Sequence, residues 1–190
     1  MSQRSWDRGT RWLHWGLSLA VTFQLFVSLV MEVPQPGLRP HALGLQGFRA
    51  HECVGVALIA IVLAHWLWAL GRRDRQAIRH LFPWDRLGRA EVVADLRNLK
   101  GGKLPEGGPG RGLPGLVHGL GLLAVTGMAA SGGLLLLLFA PGSRVPLLQH
   151  VANLHAALAN VVWLYWLGHV SMVIVHESRG HRIVAGIFRP

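Results

Sequence analysis

Four long apolar segments constrain this chain more than any other feature of its sequence. Each is long enough for a membrane-spanning helix, which needs about 20 predominantly apolar residues, and too long for a strand. Only 15% of the 190 residues are charged, whereas a soluble domain averages about 25%. We therefore predict an all-α membrane protein of one domain, residues 1–190, built as a four-transmembrane-helix bundle. The approximate helices are 12–33, 51–70, 113–140 and 147–176, with a connection at 71–112.

The positions of the charged residues predict the orientation. The net charge is +10, from 19 Lys and Arg against 9 acidic residues. Sixteen of these cations lie at the two termini and in the connection 71–112. The positive-inside rule places these three parts in the cytoplasm. The excess of cations then reflects topology and attraction to anionic membrane lipid, and we predict no nucleic-acid partner.

The connection 71–112 has some predicted structure of its own. Phe82-Pro83-Trp84-Asp85 is typical of a helix start, because proline is favoured in the first turn. Apolar residues recur at helical spacing from Glu91 to Leu99, which predicts a short helix at the membrane surface.

Cysteine content excludes several kinds of site. Cys53 is the single cysteine, so a disulfide framework, a Cys-based zinc site and a Cys-ligated iron–sulfur cluster are ruled out. The chain has no Cys-x-x-Cys-His motif, which excludes covalently attached c-type haem.

Histidines are the ionisable residues within the apolar segments, whereas Lys, Arg and the acids lie at the segment ends. Ionisable residues at membrane depth are costly and are functional candidates by default. Neutral imidazole costs less to bury than a charge and donates a lone pair to a metal. This bias indicates metal or haem ligation. The candidates are His14, His51, His65, His118, His155, His169 and His176.

The spacing of two histidines in the fourth segment indicates two sites. His155 and His169 are 14 residues apart, so they return to within about 40° of one helix face and lie roughly 21 Å apart along the axis. One helix therefore offers a ligand near each membrane face. Two b-type haems stacked across a four-helix bundle need this arrangement.

Membrane depth then predicts the partners. The second and fourth segments run in the same direction, so His51 matches His155 near the outer face. The first segment starts near His14, which matches His169 near the inner face. His65 lies 14 residues after His51 and is a rival partner for His169.

Other residues near these histidines suit a haem pocket. Gly55, one turn after His51, would give clearance for a porphyrin, or would serve helix packing. Arg11 inside and Arg49 outside are candidates for haem propionates or lipid phosphates. Three further cations near the inner face are candidates for the same contacts, with a haem propionate or a lipid phosphate: Arg8, Arg72 and Arg73.

Several short motifs resemble the bacterial di-haem cytochrome b561 family, in the branch that includes the b-type cytochrome subunit of nickel–iron hydrogenases. The resemblance covers nearly the whole chain and includes the tail 178–186. The motifs are Trp6-Asp-Arg-Gly-Thr-Arg-Trp-Leu-His14-Trp15, His51-Glu-Cys-Val-Gly55, Leu154-His155-Ala-Ala-Leu-Ala159 and Gly168-His169-Val170.

The resemblance implies two haem b groups with axial ligands at four positions. It favours His14 over His65 as the inner ligand, because the family usually has Arg where His65 stands, and His65 would then reach a propionate. The implied pairs are His51 with His155 outside and His14 with His169 inside.

The implied function is a transmembrane electron carrier in the bacterial inner membrane. It would connect a periplasmic redox protein, of cytochrome c or hydrogenase type, with the quinone pool. Iron with two axial histidines has no open position, which suits electron transfer. We expect an electron-transfer subunit more than a stand-alone enzyme, and consider a homodimer.

Three alternatives remain open on the sequence. The first alternative is a stand-alone oxidase of a small donor such as superoxide, with quinone as the electron acceptor. The second is a His-lined transporter of a divalent metal or protons, although intramembrane carboxylates and broken helices are scarce. The third is a structural anchor for a larger complex.

Overall fold

The computed structural model describes residues 6–35, 37, 39–71, 76–105, 112–138, 146–181 and 183–188. Every regular element in these ranges is a helix, which confirms the all-α prediction. The helices are α1 (Arg8–Val27), α2 (Ala42–Gly71), α3 (Gln76–Leu81), α4 (Arg86–Lys100), α5 (Leu113–Leu138), α6 (Pro146–Ser178) and α7 (Ile183–Phe188).

Three helices of the described residues, α2, α5 and α6, are long and apolar enough to cross a membrane. Many of their large apolar side chains point away from the protein: Leu67 is 72%, Leu137 84% and Leu164 75% exposed. Soluble proteins rarely expose large contiguous apolar patches, so the chain is a membrane protein. The remaining predicted span corresponds to α1, which has 20 residues and is not among the three.

The helix bounds differ most from the predicted ones around the first connection. α1 begins before Trp12 because Asp7 caps it, accepting hydrogen bonds from Thr10 N (3.0 Å) and Thr10 Oγ1 (2.7 Å). It ends at Val27, six residues before the predicted end, and the chain turns over residues 28–30. The predicted 12–33 segment is therefore shifted towards the N-terminus.

α2 begins nine residues before the predicted start, at Ala42. Gly44 and Gly47, which resemble loop residues in the sequence, instead allow the end of the first segment to pack closely on α2. A Cβ on Gly44 would lie 2.6 Å from Cγ of Glu32, and one on Gly47 would lie 3.2 Å from Cα of Met31. Glu32 N also donates to the carbonyl of Gly44 (3.0 Å).

α5 begins at the predicted residue and α6 lies within two residues of its predicted bounds at both ends. Two residues at the predicted end of the third span, 139–140, lie outside the described residues, as do Arg72 and Arg73.

The connection 71–112 contains the predicted helix, α4. Asp85 is its N-cap and accepts a hydrogen bond from Gly88 N (2.7 Å), directly after Pro83 and Trp84. At the other end of the connection, Asp95 Oδ2 accepts from Leu113 N (2.9 Å), the first residue of α5.

The chain forms two compact units. The first, here called the terminal unit, comprises Met1–Leu13, His65–Leu123 and Tyr165–Pro190; the second, the central unit, comprises His14–Ala64 and Ala124–Leu164. Each long helix contributes a segment to both units, so this division does not test the prediction of a single domain.

Each unit has its own apolar core. In the terminal unit, Phe82 and Leu122 are buried, and the Phe82 ring stacks on Trp66 with centroids 6.3 Å apart. In the central unit, each long helix contributes buried residues, among them Leu25, Val62, Val125 and Val162.

Candidate functional site

The central unit brings two of the predicted ligands together. His51 on α2 and His155 on α6 have ring centroids 6.3 Å apart, with 87° between their planes. Both are partly buried. Two imidazoles from two membrane helices therefore face one location.

Ser131 on α5 determines which nitrogen of His155 is available. The Ser131 hydroxyl has one proton, which it donates to the backbone carbonyls of Gly127 (2.8 Å) and Met128 (3.1 Å). With that proton directed to a carbonyl, the hydroxyl accepts at the 2.9 Å contact with Nδ1 of His155, and Nδ1 then carries the histidine's proton. The lone pair is left on Nε2, as in a metal-binding histidine whose other nitrogen is hydrogen-bonded.

Polar groups also converge on His51. Gln24 on α1 donates from Nε2 to the backbone carbonyl of His51 (2.9 Å). Gln24 Oε1 and Nδ1 of His51 are buried without a hydrogen-bond partner among the described residues. An unsatisfied buried polar group costs about 1–3 kcal/mol, so such groups are retained where a function needs them.

At two glycines of the central unit, Gly132 and Gly55, a neighbouring side chain lies very close to the backbone. A Cβ on Gly132 would lie 3.0 Å from Cε1 of His155, so the glycine makes room for that ring. A Cβ on Gly55 would lie 3.1 Å from Nε2 of Gln24. Gly55 thus permits the approach of α1 in this structure, and its predicted role beside a porphyrin remains a prediction.

The terminal unit contains the other α6 histidine. His169 meets His118 of α5 edge to face, with ring centroids 5.2 Å apart and 77° between the planes. Tyr165 stacks on His169 with centroids 5.5 Å apart and an angle of 19°. His118 Nδ1 donates to the carbonyl of Pro114 (2.7 Å), so its Nε2 carries a lone pair.

The two rival partners of His169 are described in different units. His14 belongs to the central unit, where its Nδ1 lies 3.4 Å from Ser18 Oγ. His65 belongs to the terminal unit, as His169 does. Its Nδ1 is buried without a hydrogen-bond partner among the described residues. The pairing of His14 with His169 remains a prediction.

The two predicted arginines lie near helix starts. Arg11 is partly buried in the first turns of α1, and its backbone N donates to the carbonyl of Asp7 (3.1 Å). Arg49 is exposed on the early part of α2. Contact of Arg11 or Arg49 with a propionate or a lipid phosphate remains a prediction.

A comparison with protein families agrees with this arrangement of histidines on apolar helices. The model of the prokaryotic cytochrome b561 family matches residues 5–190. The chain belongs to this family. No curated protein and no solved structure matches it. Membership confirms the resemblance seen in the sequence, and it implies b-type haem and electron transfer in a prokaryotic membrane.

The central unit of this cytochrome b561-family protein fits a b-type haem. Two imidazoles bound to one metal from opposite sides, at about 2.0–2.1 Å each, have ring centroids roughly 6 Å apart. The 6.3 Å between His51 and His155 is close to that distance. A proton on Nδ1 of His155, bonded to Ser131, would also leave Nε2 of His155 as the metal-binding nitrogen.

Three residues around the histidines have no role predicted from the sequence: Ser131, Gln24 and Tyr165. His118 is one of the seven candidate histidines, without a predicted partner. For Ser131 and Tyr165 the missing information is the register between α5 and α6, and for Gln24 it is the packing of α1 on α2; sequence patterns within a single helix give neither.

Proposed function

We propose that this chain is an integral membrane di-haem b-type cytochrome. It carries electrons across the bacterial inner membrane between a periplasmic redox protein and the quinone pool. The observation that carries the proposal is the pair His51 and His155: two imidazoles on two membrane helices with ring centroids 6.3 Å apart, and a serine hydroxyl 2.9 Å from Nδ1 of His155.

In this proposal four histidines hold two haem b groups. His51 and His155 hold the outer one, and His14 and His169 hold the inner one. The bound haem iron supplies reversible one-electron chemistry. The family match and the donor set of neutral imidazoles support this assignment.

The other residues of the central unit would position the ligands. Ser131 fixes the ring of His155 through Nδ1, and Gly132 leaves room for that ring. With His51 and His155 holding it, the haem would supply one-electron transfer and would offer no open iron position for a bound substrate.

The topology is also part of the proposal. We infer that α1 is the fourth span, entering the membrane after Arg8 and Arg11, and that both termini face the cytoplasm. The exposed face of α4 supports this orientation, because a basic helix face suits the anionic cytoplasmic leaflet. Its four exposed cations lie within roughly 80° of one face; they are Arg86, Arg89, Arg97 and Lys100.

The ligand assignment is tested by counting haem per purified chain. We expect two haem b groups in the wild type. Each of the variants His51→Ala, His155→Ala, His14→Ala and His169→Ala should retain one. The matched control is His150→Ala, since His150 is an exposed histidine on α6 five residues before His155. If His14→Ala retained both groups and His65→Ala lost one, the inner ligand would be His65.

A further inference from the structure

Gln24 is a polar residue among the apolar residues of the second half of α1. Its Nε2 donates to the backbone carbonyl of His51 on α2 at 2.9 Å. Because a carbonyl oxygen only accepts, the carboxamide must present its NH₂ group at this contact. Its Oε1 is buried without a hydrogen-bond partner among the described residues. A polar group in apolar surroundings is costly unless it is bonded, so the bond to His51 is what holds the carboxamide in place.

The bond reaches the main chain of a proposed haem ligand at a place where α2 leaves room for it. The carbonyl of His51 belongs to the helix turn that ends at Gly55, four residues later. A Cβ on Gly55 would lie 3.1 Å from Nε2 of Gln24, so even a methyl group there would press on the carboxamide. The glycine therefore gives Gln24 access to the carbonyl.

The two proposed outer ligands are held from different neighbouring helices of the central unit. Ser131 on α5 contacts the ring of His155 at Nδ1, and Gln24 on α1 bonds to the backbone of His51. The planes of the two imidazoles make an angle of 87°. Since that angle depends on where each helix presents its histidine, a contact that fixes α2 at His51 also fixes one of the two planes.

A positioning role differs from ordinary helix packing in what its loss changes. Interhelical hydrogen bonds join membrane helices whether or not a ligand is near, and the loss of such a bond loosens the bundle as a whole. The loss of a bond at a haem ligand changes the geometry of one iron site. The low-spin electron paramagnetic resonance signal and the midpoint potential both respond to that geometry, so they separate the two roles.

We propose that Gln24 is a positioning residue for the outer haem site. By donating from Nε2 to the carbonyl of His51, it sets where α2 presents this imidazole, and Gly55 gives the carboxamide its access. The inference rests on the proposed function, since His51 is a ligand only there. It gives α1 a part in the outer site in addition to its proposed inner ligand, His14.

The test is a potentiometric titration of the purified protein, with electron paramagnetic resonance of the oxidised state. Gln24→Met keeps the length of the side chain and removes the donor. We expect it to keep two haems, to shift the potential and signal of the outer haem, and to release that haem roughly 2- to 10-fold faster, as the loss of one hydrogen bond predicts. The outer haem is the one missing from His51→Ala.

Ser28→Ala is the matched control for the loss of a polar group four residues after Gln24. The Ser28 hydroxyl donates to the carbonyl of Leu25 in its own segment (2.7 Å). Its removal should leave the potentials and signals of both haems unchanged.

Two further variants test the donor and the access separately. Gln24→Glu has the same shape and donates only when its carboxyl is protonated, so its outer signal should return towards that of the wild type as the pH is lowered. Gly55→Ala should reproduce the change seen in Gln24→Met. In a Gln24→Ala background, where the carboxamide is absent, Gly55→Ala should add no further change.

The outcomes separate this inference from the proposed function. Two haems with wild-type potentials and signals in Gln24→Met would overturn the positioning role and leave the ligand assignment intact. Equal changes at both haems would also overturn it, since they indicate a general loosening of the bundle. An added effect of Gly55→Ala in the Gln24→Ala background would overturn the part assigned to Gly55. A wild type without haem would overturn the proposed function itself.

Discussion

The hydroxyl oxygen of Ser131 lies 2.9 Å from Nδ1 of His155, although the two residues are on different helices. When this hydroxyl donates to the backbone of its own helix, it accepts from the histidine. One side chain thereby selects the tautomer of a proposed iron ligand. The arrangement makes α5, which supplies no ligand in our proposal, a determinant of how the site works.

Removing that hydroxyl should weaken haem binding without unfolding the helices. Partners that hydrogen-bond a ligating histidine typically contribute about 10–100-fold in metal affinity. We expect Ser131→Ala to raise the haem dissociation constant of the outer site by roughly that factor, measured by transfer of haem to apomyoglobin. Ser178→Ala is the control, since Ser178 also donates to a helix carbonyl, that of Val175 (2.9 Å), but is exposed. Equal haem loss rates in both variants would contradict the role of Ser131.

Gly132 should be sensitive to a single added methyl group. Because its Cβ would lie 3.0 Å from Cε1 of His155, Gly132→Ala must displace the imidazole or the helix. Overpacking of this kind costs about 1–3 kcal/mol, so we expect less haem per chain. In Gly71→Ala the new Cβ has nothing within 4 Å, and haem content should be normal. Full occupancy in Gly132→Ala, assayed by the pyridine haemochrome spectrum, would show that the ring tolerates the methyl.

The sequence predicted elements better than contacts between them. Apolar length alone places α5 and α6 within two residues, because membrane helices must be long and apolar whatever they pack against. The predicted start of α2 is too late because Gly44 and Gly47 are typical of a loop in the sequence. In the structure they lie within α2 and pack against Glu32 and Met31. The sequence does not reveal whether a glycine forms a turn or a close helix contact.

For the candidate site, the sequence likewise indicates the histidines better than the residues that contact them. Helical spacing and membrane depth indicate that His51 and His155 belong near each other, and the structure places their rings 6.3 Å apart. Ser131 and Tyr165 could not be predicted to contact histidines, since their roles depend on the register between two helices. A serine that bonds to its own helix looks the same in the sequence whether or not a histidine lies beside it.

The start of α5 should depend on a carboxylate from α4. Asp95 accepts a hydrogen bond from Leu113 N (2.9 Å), and a capping carboxylate at a helix N-terminus is worth roughly 0.5–2 kcal/mol. We expect Asp95→Ala to lower the free energy of unfolding by about 1 kcal/mol and to make the connection 101–112 more sensitive to protease. Asn98→Ala, an exposed change on the same helix, should do neither. Identical digestion rates for the two variants would rule out the cap.

The proposed orientation can be tested with an impermeant thiol reagent. In a Cys53→Ser background, Arg39→Cys should react with a membrane-impermeant maleimide applied to intact spheroplasts. Arg97→Cys on α4 should react only after the membrane is permeabilised, because the connection 71–112 is assigned to the cytoplasm. Labelling of Arg97→Cys alone in intact spheroplasts would mean that the topology is inverted.

The most direct test of the central claim is a dithionite-reduced minus oxidised visible spectrum of the purified wild-type protein, with haem counted per chain. We predict the bands of low-spin b-type haem and two haems for each polypeptide. A folded but colourless protein would contradict the account and favour a metal or proton pathway through the same histidines.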